Sequence, residues 1–182
     1  MNLWVQNMKM RSKETGCQVD HWSTPQYVYD YLDDAYFHGR DFFDPCPLQF
    51  EVKNDGLIID WGPINYINPP YQRVGKEAFI RKSYEEFKKG KLCIMLIPAT
   101  TETEIFHDII VPNARVELIR RRIKFRGYNS RGEYVTNKTG QTGSMFVVFG
   151  KEYKPIITTV DISEYERKTH PRGRWKTKKI NT

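Results

Sequence analysis

Residues 92–97, Leu-Cys-Ile-Met-Leu-Ile, form an uninterrupted apolar run that stops at Pro98. A run so short and so continuous leaves no polar face for water. It predicts a strand buried on both sides, as in the interior of a parallel sheet. Such a strand needs covering layers, and its neighbours supply them. Lys76 to Lys89 is amphipathic: Phe79, Ile80, Ser83, Tyr84 and Phe87 share one side, and Gly90 stops the helix. Thr101-Glu102-Thr103-Glu104 has capping-box spacing and predicts a helix to about Ile110. Ile64–Ile67 reads as a strand before these elements. Arg115–Ile119, extending toward Phe125, and Met145–Phe149 read as strands after them. Strand and helix thus alternate from Ile64 onward, which predicts an α/β layer fold with a largely parallel sheet. Ligands in such folds sit at the carboxyl ends of the strands.

The amino-terminal part is organised differently. Residues 1–20 are polar without a period and read as an arm. Ser23-Thr24-Pro25 reads as a helix start, with Thr24 as cap and Pro25 at the first helical position. Tyr27, Tyr31, Leu32 and Ala35 continue at helical spacing, and Gly39 ends the helix. Asp41-Phe42-Phe43-Asp44 reads as a short strand broken by Pro45 and Pro47. A polar, Gly-rich stretch over roughly residues 127–143 predicts a loop long enough to read bases, with Asn129, Ser130, Arg131, Asn137 and Gln141 as polar candidates. We expect an arm at 1–20, one domain at 21–160 and a basic tail at 161–182.

The 182 residues suffice for one core, and the 39% hydrophobic share suits a globular chain. No apolar run approaches the roughly 20 residues that span a bilayer. The first residues lack an apolar core of signal-peptide length, so a cytosolic location is expected. Cys17, Cys46 and Cys93 are odd in number and show no CxxC spacing, and the four histidines show no ligand spacing. Neither a disulfide framework nor a metal site is expected.

Net charge is +7 and the pI about 9.2, which suits a polyanionic partner. Placement sharpens the point. Arg120, Arg121, Arg122, Lys124, Arg126 and Arg131 form one cluster, and Arg167, Lys168, Arg172, Arg174, Lys176, Lys178 and Lys179 form another. The first cluster is the candidate DNA contact, and the second suits nonspecific affinity.

Asn68-Pro69-Pro70-Tyr71 follows an apolar strand directly. This pattern suits methyl transfer to the exocyclic amine of a nucleobase. The amine lone pair is delocalised into the ring and is a weak nucleophile. Two acceptors at its two N–H bonds, the Asn68 side-chain oxygen and the Pro69 carbonyl, would localise that pair. Prolines fix where the carbonyl points. Tyr71 can stack on a base taken out of the duplex. Adenine N6, cytosine N4 and RNA bases pose the same problem to this loop. A non-catalytic DNA-binding protein on a degenerate core is the competing reading.

With these residues in view, the chain resembles the phage-type DNA N6-adenine methyltransferases (Dam-like) across most of residues 21–150. The ordered features are Trp22-Ser23-Thr24-Pro25, Asp44-Pro45-Cys46, Asp60-Trp61 and the Asn68 loop. Pro98 with its Thr-rich helix start, Arg122-Ile123-Lys124-Phe125 and the strand Ser144 to Phe149 also agree. The resemblance implies an abbreviated Rossmann-like methyltransferase core, S-adenosylmethionine as donor and catalysis by Asn68, Pro69, Pro70 and Tyr71. It also implies donor contacts from Asp44, Pro45 and Cys46, with Trp22, Ser23, Thr24 and Pro25 close to the same end. Asp55 or Asp60 would meet the donor's adenine ring. One departure stands out. Methyltransferases of the familiar kind carry a Gly-rich loop after the first strand, whereas Asp44-Pro45-Cys46-Pro47-Leu48 has no glycine. Only 23 residues (45–67) separate Asp44 from Asn68. Two further parallel strands with crossovers do not fit in that space.

Overall fold

The protein is described from a computed structural model over residues 21–47, 55–71, 73–128 and 133–169. The arm at 1–20, Arg131, and the basic residues from Arg172 onward lie outside the described residues.

Five strands form the central sheet in the order β2-β3-β7-β4-β8: β2 (Ile64–Ile67), β3 (Leu92–Pro98), β4 (Arg115–Ile119), β7 (Ser144–Phe149) and β8 (Ile156–Val160). Period-2 alternation sends their side chains to two cores. On β3, Cys93, Met95 and Ile97 point to one face, while Ile94 and Leu96 point to the other. The first face is covered by α2 (Arg73–Lys88) and a π-helical stretch, Phe106–Ile110, that runs into α3 (Val111–Asn113). The second is covered by α1 (Gln26–Leu32) and its π-helical extension Asp33–Phe37. Phe79 and Ile80 seat α2, and each is worth roughly 1.5–3 kcal/mol on burial. Gly90, at φ 94°, ends that helix as expected. The α/β layering read from the sequence is therefore present.

The sheet itself corrects the expectation of a mostly parallel arrangement. Pairs β2–β3 and β4–β8 are parallel, whereas β3–β7 and β4–β7 are antiparallel. The reason is the route of the chain. After β4 it leaves at the carboxyl edge, folds a hairpin there and re-enters from the same edge. Re-entry without a crossover makes β7 antiparallel to both neighbours.

That hairpin replaces the loop expected over 127–143. β5 (Lys124–Tyr128) pairs antiparallel with β6 (Tyr134–Thr139), and β1 (His21–Ser23) adds to β5 as a third strand. Extension of β4 to Phe125 is also corrected, because a turn at Arg120–Arg122, with Arg121 at φ 73°, diverts the chain into this small sheet. β7 is not the last strand. Beyond Gly150 the chain forms β8 and then α4 (Ser163–Thr169). The Tyr165 ring packs on Tyr31 of α1 at 5.7 Å, and its hydroxyl donates to Asp34 at 2.9 Å. The start of the expected tail is thus an ordered helix. The expected strand at Asp41–Asp44 reduces to one bridge, Phe43 with Asn65, parallel to β2.

Candidate active site

β2 carries the chain to the carboxyl edge of the sheet, and Asn68 is the first residue beyond it. Asn68 is half-buried, Pro69 buried and Pro70 half-buried, while the Tyr71 ring is 39% exposed. The Asn68 amide nitrogen donates to Thr24 Oγ1 at 3.2 Å. No hydrogen bond to its oxygen is formed among the described residues, so the acceptor atom is available. Tyr71 meets Phe125 of β5 edge to face, with ring centroids 6.3 Å apart. Burial of the Tyr71 hydroxyl pushes its pKa up, so the ring stays neutral. The loop is thereby tied to the small sheet on one side and to the start of α1 on the other.

Thr24 corrects the expected helix cap. α1 begins at Gln26 with Pro25 before it, and no side-chain cap bond is made. The Thr24 hydroxyl instead joins Asn68 and, at 2.8 Å, the Tyr66 hydroxyl. Tyr66 is wholly buried, with Tyr29 packed against it at 5.1 Å. The sequence reading missed both tyrosines. A signal for Tyr66 was present, since a residue two before Asn68 on a strand faces the same side.

Asp44 follows the bridge residue Phe43 and so lies beside the carboxyl end of β2. One of its oxygens accepts from the Cys46 backbone N–H at 2.8 Å. Burial pushes the Asp44 carboxyl up, and the Cys46 bond offsets this only in part. No cation pairs with it among the described residues. Asp55 is 2% exposed; its Oδ1 accepts from Leu57 N at 3.0 Å, and its Oδ2 is buried without a partner among the described residues. Both carboxylates act on Cys46, whose thiol is held protonated mainly by burial. Gly56 backs onto the Pro45 carbonyl so closely that a Cβ would sit 2.1 Å from that oxygen. Asp44, Pro45, Cys46 and Asp55 are therefore one assembly.

Asp60 is not part of it. It is exposed and faces Lys89 near the amino ends of the strands, opposite Asn68. Trp61 beside it is buried and donates to the Gly56 carbonyl at 2.6 Å. Ser23 pairs with Arg126 in the small sheet, and Pro25 is buried. Trp22 lies on β1.

Arg120, Arg121 and Arg122 are exposed on the turn between the two sheets, beside the hairpin. Arg120 approaches Asp161 at 3.8 Å, Arg122 reaches the Gly140 carbonyl at 3.4 Å and Lys124 pairs with Glu166 at 3.0 Å. Among the described residues no group of His, Cys, Asp and Glu is arranged to hold a metal, and no helix is long and apolar enough to cross a membrane.

A family model described as DNA N-6-adenine-methyltransferase (Dam) matches residues 11–171. No curated protein and no solved structure matches the chain.

Proposed function

As a member of the DNA N-6-adenine-methyltransferase (Dam) family, this chain methylates N6 of adenine in DNA, and we propose that it does so with Asn68, Pro69 and Tyr71 as the groups that meet the base. The observation that supports this most is the Asn68 amide: tied down through its nitrogen, with its oxygen unengaged, at the carboxyl end of β2.

The target amine needs two acceptors. Asn68 Oδ1 takes one N6–H and the Pro69 carbonyl takes the other. Together they draw the nitrogen toward tetrahedral geometry, so its lone pair points out of the ring plane. Tyr71, 39% exposed, would stack on the extruded base and offset part of the stacking lost on leaving the duplex. No separate base is needed: methylation makes N6 cationic and acidic, and one of its two protons then passes to water.

The family implies S-adenosylmethionine, which when bound supplies an electrophilic methyl group. The residues present fit such a donor. Asp44 is a half-buried carboxylate pushed up by desolvation, with no cation beside it among the described residues, and Asp55 has an unpartnered buried oxygen. A cationic donor with hydroxyls and an ammonium group would satisfy both. Asp44 and Asp55, with Pro45 and Cys46 between them, would hold it. This arrangement needs no Gly-rich loop. Asp60 has no part in it.

Arg121 and Arg122 beside the β5–β6 hairpin are the proposed DNA contacts, joined by Arg126 on β5. Arg120 and Lys124 already face acidic partners and contribute less. We place the enzyme in the cytoplasm, where DNA and donor are both available.

The test is product analysis. Protein, duplex DNA and isotope-labelled donor are incubated, and the nucleosides are separated by mass spectrometry. Label is expected on N6-methyladenine, and Asn68→Ala is expected to lower the rate by at least about 10²-fold with donor affinity kept. Near-normal turnover by Asn68→Ala sinks the loop mechanism, and label on cytosine moves the target.

A further inference from the structure

We propose that Thr24 is a positioning residue for methyl transfer: its hydroxyl, backed by Tyr66, holds the Asn68 amide with nitrogen inward and oxygen toward the substrate amine. This rests on the reading of Asn68 given above.

An asparagine amide turned by 180° fills the same volume but exchanges an acceptor for a donor. At this position the flipped amide would set N–H against the N–H of the adenine amine. The loop chemistry therefore needs a neighbour that distinguishes the two ends. Thr24 Oγ1 lies 3.2 Å from Asn68 Nδ2 and 2.8 Å from Tyr66 Oη. A hydroxyl has one hydrogen and two lone pairs. Tyr66 is wholly enclosed and cannot turn its phenol to water, so its hydrogen-bonding capacity is spent on Thr24. When the Thr24 hydrogen goes to the Tyr66 phenol, a lone pair is left for Asn68. It accepts from nitrogen and would repel oxygen.

Thr24 is itself pinned. Ser23 is held in β1 against Arg126, and Pro25 is buried at the head of α1. A threonine just before a helix ordinarily bonds the first-turn amides. Here that bond is absent, and the hydroxyl spans 44 positions in sequence to reach Asn68.

The test measures three quantities on the full chain: the single-turnover methylation rate, the donor Kd and the DNA Kd. Thr24→Val keeps the shape and removes the hydroxyl. Its rate is expected to fall on the order of 10²-fold, with both Kd values within about threefold of the parent. Thr24→Ser restores the hydroxyl and is expected to recover the rate to within about threefold. Tyr66→Phe keeps the core ring and removes only the phenol; a smaller rate loss with unchanged Kd values is expected, and this variant serves if Thr24→Val fails to fold. A Thr24→Val rate like the parent's overturns the proposal. So does a raised donor Kd with the rate at saturation preserved, which would make Thr24 a donor contact. Thr24→Ser as slow as Thr24→Val also overturns it. Asn68→Ala assayed alongside separates the two levels: if that variant is active, the loop reading fails, whatever Thr24 does.

Discussion

Arg121 occupies left-handed backbone at φ 73°, a region that costs a β-carbon-bearing residue roughly 1–2 kcal/mol. Glycine or asparagine would sit there at less strain, yet the position holds an exposed guanidinium beside the hairpin. That combination fits a side chain kept for binding at the expense of local stability. Arg121→Gly is expected to stabilise the fold by about 0.5–1 kcal/mol in urea unfolding. The same variant should weaken DNA binding and flatten the dependence of log K on log salt by about one unit. A stabilised variant with unaltered salt slope would remove Arg121 from the interface. At this scale the sequence was partly legible. Asn68 to Tyr71 stood out because asparagine, two prolines and an aromatic ring follow an apolar strand. Asp44 stood out as the end of another. The partners of Asn68 did not, because a hydrogen bond between residues 24 and 68 leaves no local pattern. Asp55 and Asp60 differ in burial, which no local pattern of the sequence encodes.

Among the elements, α2 and β3 are joined by a buried charge. Glu86 on α2 is fully enclosed and receives Lys82 at 2.9 Å, Lys89 at 2.8 Å and Lys91 at 2.6 Å. Lys91 also donates to the Trp61 carbonyl at 2.6 Å, so the cluster fastens the chain ahead of β2 and β3. Burial alone would raise the Glu86 carboxyl; the three ammonium groups override it and hold the pKa at about 2, from an ordinary 4.5. The folded carboxyl thus titrates below the unfolded one. Its contribution is full above the unfolded range and is lost as pH falls from about 4.5 through about 2. At neutral pH, Glu86→Gln is expected to lower stability by about 2–3 kcal/mol. That gap should narrow in urea titrations as pH drops from about 5 toward 2. A gap independent of pH would assign the loss to packing. Elements were the most legible scale. β2, α2, β3, β4 and β7 follow from apolar period and glycine stops. The β5–β6 hairpin was hidden because its strands are short and largely polar, and β8 because Ile156 and Ile157 are both half-exposed at a sheet edge.

Across the whole molecule, sheet direction was the least legible feature, because strand polarity is fixed by where the chain re-enters rather than by any single segment. β7 lies between β3 and β4, although it follows both in the chain. This has a consequence for synthesis. While the polypeptide is emerging from a ribosome, β2, α2, β3 and β4 are complete before Ser144 has been made. Until β7 arrives, β3 and β4 each present an unpaired apolar edge, open to other chains. A chain truncated just before Ser144 should therefore be recovered as aggregate and be digested rapidly by protease, whereas one ending after Thr169 should resist. Soluble, protease-resistant material from the shorter chain would show that the sheet closes without its central strand. The Asn68 loop, though encoded in the first half, gains a firm scaffold only near the end of translation, so activity is expected to wait on the order in which the strands are delivered.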